Sequence, residues 1–78
     1  MNTTVNLYDK WVKTEWHQLW ADDSKAFILR PNRVANHYYD VLVDDGNETT
    51  EYELLNFSDG LDKWNSEINQ YLTTKGSK

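Results

Sequence analysis

Val5, Tyr8, Val12, Trp16, Leu19 and Trp20 recur at helical spacing. At about 100° per residue they fall within an arc of about 120°, the stripe of a helix over residues 5–20. Thr3 or Thr4 is placed to cap its start. Leu7 and Trp11 do not fit this stripe. They lie four residues apart on the other side of the wheel, near Thr14 and Gln18. Val5 and Leu7 also alternate, so residues 3–8 read equally as an extended segment.

A polar break at residues 21–24 ends this pattern. Residues 25–30 form a short apolar strand closed by Pro31, whose ring favours extended backbone at Arg30. Residues 37–43 are rich in β-branched and aromatic side chains. Tyr39, Val41 and Val43 share one face, while Tyr38, Asp40 and Leu42 share the other. Asp45-Gly46 is a hairpin turn signal. Residues 51–57 return as a strand whose phase slips, because Tyr52 and Leu54 face one way and Leu55 and Phe57 the other. A bulge, or burial of both faces near Leu54-Leu55, accounts for that slip. Ser58-Asp59-Gly60 opens a last helix with Ser58 or Asp59 as cap, and Asp59 and Asp62 suit its positive end. Leu61, Trp64, Ile68, Tyr71 and Leu72 form its apolar stripe. Lys75 and Gly76 suit its end, and residues 73–78 read as a frayed polar tail.

The predicted fold class is α+β, in the order α-β-β-β-α. It is a three-stranded antiparallel β-meander with an N-terminal and a C-terminal helix packed on one face, that of Tyr39, Val41 and Val43. A chain of 78 residues makes one domain, spanning residues 1–78.

Composition narrows the function classes. Four Trp, five Tyr and two Phe argue against a disordered chain. The absence of Cys rules out disulfides and thiolate metal sites. The longest apolar run is Ala26-Phe27-Ile28-Leu29, far short of the roughly 20 residues of a membrane helix. The start, Met1-Asn2-Thr3-Thr4, lacks the basic-then-apolar pattern of an export leader, and a cytoplasmic location is expected. Asn2, Asn47 and Asn56 each open an N-x-[ST] triplet, which in that location is a chance match.

Catalytic signatures are missing. His17 and His37 belong to no H-E-x-x-H motif, and glycines at 46, 60 and 76 form neither a P-loop nor a G-x-G-x-x-G turn. The acidic turn at Asp44-Asp45-Gly46-Asn47-Glu48 fails as a calcium loop, since its glycine would place Val41 and Val43 at ligand positions. The expectation is a protein that is not an enzyme and uses no cofactor and no metal.

Charge is the informative feature. Residues 1–33 hold four acids against five bases, and residues 34–78 hold nine acids against three bases. No Lys or Arg occurs between Val34 and Asp62. Asp40, Asp44, Asp45, Glu48, Glu51 and Glu53 are the candidate acidic surface, suited to steering a cationic protein. Leu7, Trp11 and Tyr38 are the candidate apolar anchor, because exposed aromatics are favoured contact residues. Direct nucleic-acid binding is disfavoured, since the bases are interleaved with acids. The functional expectation is a non-catalytic protein-binding module with a basic partner. One alternative is an acidic nucleic-acid mimic that inhibits by blocking a basic groove. In size, acidity and lack of Cys the chain is similar in style to phage- or plasmid-encoded accessory proteins. A second alternative is a structural subunit of a homo-oligomer.

Overall fold

A computed structural model of the chain describes residues 7–22 and 24–76. The order is α1 (Leu7–Val12), β1 (Gln18–Ala21), β2 (Ala26–Pro31), β3 (Tyr39–Asp44), β4 (Thr49–Leu55) and α2 (Phe57–Gly76). The four strands form one antiparallel sheet in sequential order, so the class is α+β with four strands where three were expected. Among the described residues no helix is long and apolar enough to cross a membrane.

The extra strand comes from the segment read as the second half of the first helix. The helix ends after Val12, where both the backbone N and the Oγ1 of Thr14 donate to Trp11 O, at 3.0 and 2.7 Å. Trp16 Nε1 donates to Val12 O at 3.2 Å. The chain then turns into β1, whose Leu19, Trp20 and Ala21 pair with Ile28, Phe27 and Ala26. The helical stripe was therefore a coincidence of spacing. The residues that anchor α1 are the two outside it, Leu7 and Trp11, which pack on Ala26, Ile28 and Leu42. The proposed cap at Thr3 or Thr4, and Val5, lie outside the described residues.

The two helices sit on opposite faces of the sheet, not on one. Ala26, Ile28 and Leu42 face α1. Phe27 and Val43 face α2, where Ile68, Trp64 and Tyr71 meet them together with Trp20 and Tyr52. Strands covered on both sides read as unbroken apolar runs. Ala26-Phe27-Ile28-Leu29 and Val41-Leu42-Val43 are such runs, and all seven residues are buried.

The last helix begins earlier than expected, at Phe57, so neither Ser58 nor Asp59 is its cap. Asn56 is its cap: its Oδ1 accepts from Asp59 N at 2.7 Å, and its Nδ2 donates to Asp59 Oδ2 at 3.2 Å. The helix runs on through residues 73–76 of the segment read as a frayed tail, whose last two residues, 77 and 78, lie outside the described residues. Leu72 is exposed, whereas Gly60 lies against the sheet, with Leu29 Cδ1 3.1 Å from where a Cβ would stand. Trp64 Nε1 donates to Phe27 O at 2.9 Å, tying the middle of α2 to β2.

Two carboxylates fasten the helices to the sheet. Asp22, in the β1–β2 turn, accepts from Tyr71 Oη at 2.8 Å and from Lys75 Nζ at 2.9 Å. Asp44, at the end of β3, accepts from Lys10 Nζ at 2.7 Å and from Trp11 Nε1 at 2.8 Å, and so holds α1. Burial alone would raise both carboxyls. The hydrogen bonds from Lys75, Tyr71 and the Lys25 and Ser24 amides outweigh it at Asp22, and those from Lys10, the Gly46 amide and Trp11 outweigh it at Asp44. Both titrate below the ordinary 3.8 of an aspartate. A depressed carboxyl stabilises the fold above its unfolded value, and that contribution is lost as the pH falls through the folded value. Stability should therefore hold from neutrality down to about pH 4 and fall steeply below it. Urea denaturation at a series of pH values checks this. Asp44→Asn should flatten the acid limb and cost about 1–3 kcal/mol at neutral pH.

Candidate protein-interaction surface

α1 has only six residues and covers only the end of its sheet face near Ala26 and Leu42. Among the described residues no helix covers the other end of that face, and β4 borders it as an outer strand. Cross-strand partners point to the same face. Glu51 pairs with Leu42, and Thr49 with Asp44, so Glu51 and Thr49 share the α1 face. Tyr52 pairs with Val41 on the α2 face, where the Lys63 ammonium lies 4.2 Å from its ring centroid.

A bulge shapes the end of this strand. Val41 pairs with Tyr52 and Tyr39 with Leu55, leaving Glu53 and Leu54 opposite the single residue Asp40. The expected slip at Leu54-Leu55 is thus a bulge. Leu54 takes a positive φ of 63°, which costs a leucine about 1 kcal/mol or more. It leaves the Leu54 side chain 58 % exposed.

Asp40 organises this end of the face from beneath. Its side chain is almost fully buried, with Arg30 Nε 3.6 Å from its Oδ2. Its Oδ1 accepts from Asn32 Nδ2 at 2.9 Å and from Leu54 N at 3.3 Å. Asn32 Oδ1 in turn accepts from Val34 N at 2.9 Å and Ala35 N at 2.8 Å, which curls the β2–β3 loop. One carboxylate therefore fixes both the loop that carries Val34, 91 % exposed, and the bulge that carries Leu54. Both side chains line an open groove, with Arg30 and Asp40 also in its lining and Glu53 beside Leu54. Asp40→Asn should cost about 1–3 kcal/mol by removing the charge opposite Arg30. It should also speed amide exchange at Val34, Ala35 and Leu54. Denaturation and hydrogen exchange measure the two effects.

The expected acidic row divides into three groups. Asp40 and Asp44 are buried and neutralised by Arg30 and Lys10, both from the front third of the chain, so neither belongs to an exterior patch. Asp45 is exposed at the hairpin tip, where its Oδ1 accepts from the Asn47 and Glu48 amides at 2.9 Å each. Those hydrogen bonds hold its carboxyl below the usual range. Glu48, beside it, is exposed. Glu51 and Glu53 are exposed on β4, two residues apart, and no Lys or Arg among the described residues forms an ion pair with either. The Glu51 carboxyl, by hydrogen bond and by charge, and Asp40, by charge, push the Glu53 carboxyl above its ordinary value.

The expected apolar anchor also divides. Leu7 and Trp11 are buried against the sheet, because α1 uses them as its packing face, and they offer no exposed contact. Tyr38 is 45 % exposed in the loop before β3. Val34 and Leu54, absent from the expected contact residues, line the same groove as Glu53. Leu54 carried a signal in the phase slip; Val34 sat in a connection with no pattern.

His17 packs edge-on against Tyr39 and Phe57, at 6.0 and 5.1 Å between ring centroids. Among the described residues no group of His, Asp and Glu side chains is arranged to hold a metal ion. No protein-family model matches this sequence, and neither a curated protein nor a solved structure shows significant similarity to it.

Proposed function

We propose that this chain is a non-catalytic protein-binding module that meets a basic partner protein through the outer strand β4 and the groove beside it. The supporting observation is a contrast among carboxylates. Asp22, Asp40 and Asp44 each lie beside a Lys or Arg of the same chain. Glu51 and Glu53, on an exposed strand, lie beside each other, and no Lys or Arg of the described residues forms an ion pair with either. Like charges held together cost stability in the free protein, and a cationic partner relieves that cost. Leu54 and Val34 add apolar contact area at the edge of the charged strip.

A long nucleic-acid-like row is less well supported, because Asp40 and Asp44 are removed from it. Self-association through two β4 strands is disfavoured at neutral pH, because it would bring Glu51 and Glu53 of both copies together. The test uses the whole protein as immobilised bait for proteins of the organism that encodes it, at about 50 mM and about 500 mM salt. A retained basic protein whose purified form binds at low salt and is released at high salt is expected. A partner held equally at both salts, or no partner at either, overturns the proposal.

A further inference from the structure

β4 is an edge strand: it pairs with β3 on one side, and no described segment pairs with the other. Such an edge offers a row of backbone donors and acceptors to an added strand. The side chains along it are sorted by charge. On the α1 face stand Glu51 and Glu53, with no helix of the described residues over them. On the α2 face the Lys63 ammonium lies over Tyr52 and is paired with Glu67 Oε2 at 2.9 Å, so the charge there is already matched. The bulge at Glu53 and Leu54 bends the strand and ends regular pairing, which leaves residues 49–52 as the regularly paired stretch, with Glu53 at its end.

We propose that β4 binds an extended segment of the partner as a fifth strand, one with basic side chains at alternate positions and uncharged ones between. The alternation follows from the pleat. Side chains two residues apart on the added strand share a face, so a Lys or Arg at i and i+2 meets Glu51 and Glu53 as cross-strand neighbours. The intervening residues fall on the α2 face, where Lys63 and Glu67 already pair and a further charge gains no counterpart. This inference rests on the binding role proposed above and specifies its mode.

An eight-residue peptide of alternating Lys and Thr, blocked at both ends, is the probe. Two twins carry backbone N-methyl groups, one on every Lys and the other on every Thr. In an extended strand the amides of alternate residues point to opposite edges, so only one twin loses its hydrogen bonds to β4. The expected result is that one twin binds about tenfold or more weakly than the parent while the other matches it. Amide exchange in residues 49–53 should slow in the parent complex. If both twins bind as the parent does and exchange is unchanged, the strand-addition mode is wrong while charge recruitment stands. If the parent peptide fails to bind at low salt, the mode and the acidic recruitment beneath it both fall.

Discussion

Replacing Glu51 and Glu53 together by lysine is expected to weaken binding of the basic partner by about a hundredfold or more. The two carboxylates sit two residues apart on one face of β4, and no Lys or Arg of the described residues forms an ion pair with either. Reversal does more than remove an attraction, since it sets cation against cation at the same points. Like-charge juxtaposition across an interface costs several kcal/mol, and a hundredfold change corresponds to about 2.7 kcal/mol. The salt dependence should shrink with the affinity, because screening acts on the charges that were reversed. Both side chains are exposed, so the variant should fold with undiminished thermal stability. Calorimetric titration at two salts, with circular dichroism to confirm the fold, reads all three quantities. Wild-type affinity in the folded variant would place the contact elsewhere.

Trp11→Ala is expected to be the most damaging single change to stability, at about 3–5 kcal/mol. Trp11 is 9 % exposed and packs with Leu7 on Ala26, Ile28 and Leu42. Truncation opens a cavity between α1 and the sheet. It also removes the indole donor at 2.8 Å from Asp44, a carboxylate that is itself buried. A domain of this size has a total stability of about 4–12 kcal/mol, so the variant should melt at least about 15 °C lower or be partly unfolded. Trp11→Phe separates the two causes. It keeps most of the packing and loses only the hydrogen bond, while Lys10 and the Gly46 amide still serve Asp44. Its cost should be about 1 kcal/mol. Partner affinity should be unchanged in Trp11→Phe, because Trp11 is buried against the sheet.

Much of the sheet was legible from its own residues. The turn at Asp45-Gly46, the strands around Ile28 and Val41, and the stripe of α2 all follow from local pattern. The first helix was not, because Tyr8, Val12, Trp16, Leu19 and Trp20 satisfy a helical period by accident. A four-residue strand such as β1 is too short to show a competing period of two. The opposite placement of the helices was present in the sequence as the unbroken run from Ala26 to Leu29. Two-sided burial produces such a run, but a short one is equally consistent with a buried helix segment. Charge was legible in amount and not in position. Asp40 and Asp44 look like Glu51 and Glu53 in the sequence, and only the tertiary positions of Arg30 and Lys10 decide which carboxylates turn inward. The phase slip at Leu54-Leu55 marked the bulge but not the direction in which Leu54 would face. Leu54 faces out because a bulge held by Asp40 rotates it there, and no local pattern encodes a bond across 14 residues.

The account depends on β4 carrying negative charge that the rest of the molecule leaves uncompensated. The titration of the Glu53 side-chain carboxyl, followed by carbon-detected NMR in the free protein, tests that most directly. The predicted midpoint lies above the ordinary 4.5 of a glutamate and moves back toward it in Glu51→Gln and in high salt. A raised carboxyl also means that protonating Glu53 stabilises the fold slightly as the pH falls through its midpoint, opposite in sign to Asp22 and Asp44. A midpoint at or below 4.5 that ignores both Glu51→Gln and salt would mean that a cation already serves this carboxylate, and would contradict the account.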